Sequence, residues 1–364
     1  MPSQLLHTLF GEDVISEIER RIKACPGITA VKNLDRIPNS HKKVFTLGCQ
    51  GPDIFYHSQA RRPVGLEYGT LLHRRGIGTF AAALLKLSLK DPLPGQGDRR
   101  TRRREKGINA LGAYALGFMT HAILDRAAHP YIVYKSDRPP PDNLRRDRSH
   151  AFLERIIDLL MLKLLRGADI SSWDQEGMLA ETCEKPPLGL KKLLAKAIVM
   201  SYPERAGKDR KLGSRIKNTF LDCADFYRLT APVNASPANP VWQSSPPRKG
   251  YVAYLYPEEL PANIDFLNLK KRPWYYPAGE AIKDTRSFPE IYSGAVNTAA
   301  DSLAVIIESF FGDLPFPVEE AARITGNGGL SIVDENGKPC APSHTDPLPL
   351  QEVLNQQAEL RNAV

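Results

Sequence analysis

The sequence predicts an all-α fold. Apolar residues recur at helical spacing in several long stretches, strand-like alternation is thin, and Pro- and Gly-rich breaks separate the stretches. Residues 3 to 24 open the series, with Leu5, Leu6, Leu9, Phe10, Val14, Ile15, Ile18 and Ile22 on one amphipathic face and Cys25-Pro26-Gly27 as the stop. The stretch LGCQGPDIFYH follows, where two Gly and a Pro around Asp53 read as a turn shaped to aim that carboxylate. Residues 66 to 90 form a Leu- and Ala-rich helix ended by DPLPGQGD. Residues 104 to 129 form a long apolar helix, which should stop at His129 because Pro130 disfavours helical geometry in the residue before it. KSDRPPPDN is a loop, and residues 147 to 166, 188 to 202 and 211 to 229 are helical again.

The composition then shifts. Residues 230 to 290 hold two of the three Trp and the Tyr-rich runs YVAYLYPEEL and RPWYYPAGE, among many Pro. This reads as a loop-rich insertion placed to roof a cleft, not as a second domain. A helix resumes over 289 to 311, Asn336-Gly337 marks a hairpin, and LQEVLNQQAELRN forms a last helix. The expected organisation is one helical domain over 1–312, with the insertion at about 230–290, and a loop-rich C-terminal extension over 313–364.

With 364 residues and 42% hydrophobic content, the chain can bury a core without disulfide or metal staples. Charged residues at 25% exclude wholesale disorder. The five Cys include no CxxC pair, which argues for a reducing compartment. The start lacks a basic region followed by an apolar stretch, so no signal peptide and a cytoplasmic location are expected. The longest uncharged run, Gly107 to Leu124, reaches the minimum length of a membrane span, but it carries Asn109, Thr120 and His121 and runs into Asp125. A buried helix explains it better. Much of the net charge of +8 sits in Arg99-Arg100-Thr101-Arg102-Arg103-Arg104-Glu105-Lys106. That tract is a solvated loop in the bland reading. In the sharper one it docks phosphate-bearing surfaces, either nucleic acid or an anionic membrane touched peripherally.

The histidines carry the chemistry. In His121-x3-Asp125-x3-His129 the three side chains share one helical stripe, because positions four apart lie about 40° apart around the axis. One buried imidazole is an ordinary core residue. Two imidazoles and a carboxylate on one apolar stripe are costly to desolvate, and a cation offsets that cost. Imidazole with carboxylate suits zinc. His150-x3-Glu154 repeats the spacing on another helix, and His7, Asp53 and His73 are single residues placed to complete a cluster. His41, His57 and His344 read as surface or loop residues.

The stretches LGCQGPDIFYH, LGFMTHAILDRAAHPYI and SHAFLERIID, in this order, resemble the zinc-dependent phospholipase C family over roughly residues 1 to 170. The resemblance implies an all-α body holding two or three Zn2+ ions in one cleft. It implies Asp53, His73, His121 and Asp125 at a first zinc and His129, His150 and Glu154 at a second. His7 would join a bridging Asp125 at a third. Secreted members have a signal sequence and an amino-terminal Trp that ligates the third zinc, and this sequence has neither; its Asp125-to-His129 spacing is also shorter. The implied reaction is hydrolysis of a phosphodiester, with a phospholipid headgroup favoured, by metal-activated water. Asp53 is either a pure ligand or also the acceptor of the water's proton. Two further readings stand beside it: a nuclease or nucleotide phosphodiesterase on the same site, and a non-catalytic metal-stabilised helical scaffold.

Overall fold

In the computed structural model the described residues are 4–24, 39–90, 108–140, 148–232, 252–311 and 318–362. The fold is all-α. The helices are α1 (Gln4–Ala24), α2 (Asn39–Cys49), α3 (Leu66–Arg74), α4 (Ile77–Lys90), α5 (Ala110–Ser136), α6 (Ser149–Arg166), α7 (Gln175–Glu184), α8 (Leu190–Ser201), α9 (Pro203–Ala206), α10 (Leu212–Thr230), α11 (Phe288–Phe311), α12 (Val318–Thr325) and α13 (Leu350–Asn362). Among the described residues the only sheet is a two-residue ribbon of β1 (Trp274–Tyr275) and β2 (Lys283–Asp284), antiparallel, with Trp274 opposite Asp284. No described helix is long and apolar enough to cross a membrane. The basic tract 99–106 lies outside the described residues.

Helix α5 is the axis of the fold and is buried almost throughout. Asn109 caps it, its side-chain oxygen accepting from the Gly112 N–H at 2.8 Å. The helix therefore begins later than position 104. It also runs through Pro130 to Ser136, instead of ending at His129. An internal Pro costs about 3 kcal/mol. Beyond it, Tyr131, Ile132 and Val133 are all buried. Each such side chain contributes roughly 1.5–3 kcal/mol, so packing outweighs the local preference. Helix α2 crosses α5 closely at Gly48, where a Cβ would lie 2.3 Å from the Tyr114 carbonyl oxygen.

Residues 66 to 90 form two helices, not one. Arg75 is extended and Gly76 turns at φ +77°, so α4 leaves in a new direction. The break matters because the C-terminal segment pairs there. The Gly76 N–H donates to Asn327 O at 3.0 Å, and the Leu330 N–H donates to His73 O at 2.9 Å. The Arg126 guanidinium holds the same segment by donating to the carbonyls of Thr325, Gly326, Gly328 and Gly329. The described part of the 230–290 stretch packs on the body through aromatics. Tyr131 donates to Phe266 O at 2.8 Å, Trp274 meets the Tyr131 ring edge-on, and Tyr256 donates to Glu176 at 2.7 Å.

Candidate metal centre

Five elements deliver the donors. His7 lies on α1, Asp53 in the 3-10 turn Gly51–Phe55, His73 in the last turn of α3, His121, Asp125 and His129 on α5, and His150 and Glu154 on α6. Asp158, a further turn along α6, accepts the Leu6 N–H at 2.7 Å. The helix that carries Glu154 thus caps the start of α1 and sets the position of His7. Gly51 sits at φ +55°, with the His121 ring so close that a Cβ would lie 2.3 Å from its Cγ. Only glycine fits that turn, and the turn aims Asp53 at the histidines.

The eight residues converge. Asp125 is central: its oxygens lie 3.2 Å from His7 Nε2, 3.1 Å from His121 Nε2, 3.9 Å from His73 Nε2 and 3.6 Å from His129 Nδ1. Asp53 lies 2.8 Å from His73 Nε2 and 3.5 Å from His121 Nε2. Glu154 lies 3.3 Å from His150 Nε2 and 3.7 Å from His129 Nε2. The donors form three groups, His7 with His121 and Asp125, Asp53 with His73 and His121, and His129 with His150 and Glu154, the donor atoms of each lying within 4.8 Å of one another. The His7 and His121 rings stack at 4.0 Å, and those of His129 and His150 at 5.6 Å.

Ring orientation is set from behind. His73 Nδ1 faces Gly69 O at 2.8 Å, His121 Nδ1 faces Cys49 O at 3.0 Å, and His129 Nδ1 faces Asp125 O at 3.0 Å. A carbonyl only accepts, so each of these Nδ1 atoms carries the hydrogen and each Nε2 is left as a lone-pair donor toward the carboxylates. Asp137 does the same for His150, at 2.9 Å from its Nδ1. Sequence reasoning missed Asp137. It lies in a stretch read as loop, at no informative spacing from a histidine, and only the extension of α5 past Pro130 brings it there.

The donor set fits a divalent cation. His121 Nε2, Asp53 Oδ2, Asp125 Oδ2 and Glu154 Oε2 are buried and make no hydrogen bond. Lone pairs of nitrogen and oxygen face one another at ion-pair distances without hydrogen-bond geometry, as donors shared by one ion do. Among the protein groups alone, protons partly serve as the cation. Burial works against charging His121, but Asp125 and Asp53 raise it to about 9. Burial likewise opposes His150, which Asp137 and Glu154 raise to about 10. His7 is depressed by burial and by the charge on His121, which together outweigh Asp125. Burial raises Asp125 and Asp53, yet the histidines around them leave both carboxyls lowered.

A cleft of about 330 Å³ opens on the donors. Asp53, Tyr56, His73, Arg74, Asp125, His129 and His150 line it, and Ser331, Ile332, Pro339 and Cys340 cover it. Among the described residues the roof therefore comes from the C-terminal stretch and not from the 230–290 insertion. Of the three histidines read as peripheral, His57 is not at the surface. It is buried and stacks on Phe226 with ring centroids 3.9 Å apart, and burial pushes its imidazole down to about 3. His344, half-buried, approaches Tyr276 O and Ser343 away from the cleft.

Comparison with protein families matches residues 21–193 to zinc dependent phospholipase C. That stretch contains every donor named above except His7. No curated protein and no solved structure matches the chain.

Proposed function

With residues 21–193 matching the zinc dependent phospholipase C family, we propose that the chain is a zinc-dependent hydrolase that cleaves phosphodiester bonds, phospholipid headgroup esters above all, at the cluster around Asp125. The observation that carries the reading is the coincidence of unpartnered buried donors with an accessible cleft. Asp53, His73, Asp125, His129 and His150 all line that cleft, and the His73 and His150 side chains keep 15% and 23% of their exposure. A purely structural metal has its coordination closed by protein, whereas a hydrolytic one keeps a position open to water and substrate. The cleft favours hydrolysis over a scaffold.

His7, Asp53, His73, His121 and Asp125 would hold zinc on one side, with Asp125 shared, and His129, His150 and Glu154 on the other. Zinc bound there supplies charge neutralisation of the phosphodiester and a water of lowered pKa. The chain supplies the rest. Asp125 spans both sides of the cluster and keeps the two groups adjacent. The backbone carbonyls of Gly69 and Cys49 and the carboxylate of Asp137 fix the tautomers of His73, His121 and His150. Asp53, ionised at neutral pH, presents Oδ2 in the cluster as the acceptor for a proton leaving the attacking water. The phenol of Tyr56, raised by burial and by Asp53 and Asp125, stays protonated beside it as a hydrogen-bond donor.

Asp125→Asn tests the reading. The variant keeps the size of the side chain but loses its charge amid four imidazoles. Zinc content and hydrolysis of bis(p-nitrophenyl) phosphate, of a short-chain phospholipid and of an oligonucleotide are measured together. Loss of zinc together with loss of phospholipid hydrolysis is expected. Unchanged zinc content rejects the metal centre, and cleavage of the oligonucleotide alone reassigns the substrate.

A further inference from the structure

Arg74 is the one arginine among the described residues that line the metal cleft. It follows His73 in the last turn of α3 and is exposed. A basic residue at that position often serves only the helix end. Here its guanidinium makes no hydrogen bond to a terminal carbonyl and no ion pair among the described residues. The neighbouring arginine, Arg126, is different: it is consumed by the carbonyls of Thr325, Gly326, Gly328 and Gly329. Arg61 is held between Asp222 and Asp225, and Arg148, which lines the adjacent pocket, lies over the Tyr254 ring. Arg74 and Tyr56 line the same cleft, where the Tyr56 ring meets that of His73 at 4.5 Å, so the guanidinium belongs to the same cavity wall as the donors.

The rest of the lining decides the sign of the preferred ligand. The carboxylates there, Asp53 and Asp125, are turned to the histidines. The remaining walls are Tyr56, Ser331, Ile332, Pro339 and Cys340, none of them charged in its ordinary state. Among the described lining residues no acidic group is left to receive a cationic headgroup, while one unpaired fork of N–H donors is left to receive an anionic one.

We propose that Arg74 anchors the headgroup of the substrate, so that the cleft prefers phosphodiesters with an anionic headgroup over those with choline. The assignment rests on the phosphodiester reading of the same cleft. It makes Arg74 a specificity residue that touches substrate without serving as a metal donor.

The test uses three headgroup phosphates that differ in the charge of the attached group: phosphoglycolate, glycerol 3-phosphate and phosphocholine. Their binding to the zinc-loaded full chain is measured by calorimetry for the wild type, Arg74→Ala and Arg74→Lys, with zinc content and far-UV circular dichroism as checks. Wild type should bind phosphoglycolate most tightly and phosphocholine most weakly. Arg74→Ala should lose about tenfold or more in phosphoglycolate affinity and flatten the series. Arg74→Lys should keep the order with a shallower slope, since it retains charge without the fork. A flat series in the wild type, an unchanged series in Arg74→Ala, or loss of zinc in Arg74→Ala overturns the assignment. If the series holds and collapses as expected while no phosphodiester is cleaved, Arg74 stands as the anchor and the hydrolase reading fails instead.

Discussion

Gly51→Ala should damage the metal centre from outside the donor set. The residue sits at φ +55°, and its added Cβ would lie 2.3 Å from His121 Cγ, 2.4 Å from Cδ2 and 2.8 Å from Nδ1. Ordinary contact begins near 3.4 Å, so ring and turn must separate by about 1 Å. The ring has little room to yield. Its Nδ1–H is held by Cys49 O at 3.0 Å and its face by His7 at 4.0 Å. The left-handed backbone costs a non-glycine residue about 1–2 kcal/mol, and forced repacking adds about 1–3 kcal/mol. A total loss of roughly 2–5 kcal/mol in unfolding free energy follows. A donor displaced by about 1 Å also exceeds the tolerance of roughly 0.5 Å for a preorganised site. Zinc affinity should therefore fall by about 10–100-fold, as when a supporting contact of a ligand is removed. Gly167→Ala is the control. That glycine has φ +62° with nothing within 4 Å of the new Cβ, and it closes α6 away from the donors. It should lose only the backbone share and keep its zinc. Urea denaturation and zinc competition against a chelator measure both quantities. Equal destabilisation of the two variants, with zinc affinity intact in Gly51→Ala, would refute the claim that this turn is built around the His121 ring.

Asp137→Ala leaves His150 Nδ1 without its carboxylate, so zinc at the His129, His150 and Glu154 group should weaken by about 10–100-fold while the group around Asp53 and His73 is retained. A zinc titration that shows one weakened class of site confirms this, and uniform weakening or none contradicts it. The third prediction concerns His57, whose imidazole is held down to about 3 by burial. Because the folded value lies below the unfolded one of about 6.5, its neutral form contributes stability that is complete above pH 6.5 and is lost as pH falls toward 3. By pH 5 the loss is about 2 kcal/mol. His57→Phe keeps the stack on Phe226 and removes the titration. Between pH 7 and 5 the wild type should lose about 2 kcal/mol more than the variant in urea unfolding. Parallel curves would show that His57 does not titrate on unfolding.

Much of the centre is visible from local chemistry. His121, Asp125 and His129 share a stripe because a helix repeats every 3.6 residues, and His150 and Glu154 do so for the same reason. The turn at Asp53 is announced by Gly51 and Pro52, the first free to take a left-handed backbone and the second with its φ fixed. The start of α5 is less legible, and its end is misleading. A Pro signals a stop through sterics between neighbours, while burial of Tyr131, Ile132 and Val133 comes from segments far along the chain, such as Phe266, Trp274 and Ile332. The burial of His57, which does lie in a turn, is hidden for a related reason, since no local spacing reveals that Phe226 will cover it.

Helical periodicity, the apolar faces and the types and order of the donors are properties of short stretches, and the sequence alone determines them. The tertiary structure decides which donors meet, since His7 and His73 reach Asp125, and Glu154 reaches His129, only through packing across many residues. It also recruits Asp137 behind His150 and lays Ser331, Ile332, Pro339 and Cys340 along the cleft, in a segment held by Arg126 and by the carbonyl of His73. The physical reason is the same in each case. Backbone preferences act between neighbours, whereas burial and charge act between groups that are close only after the chain has folded.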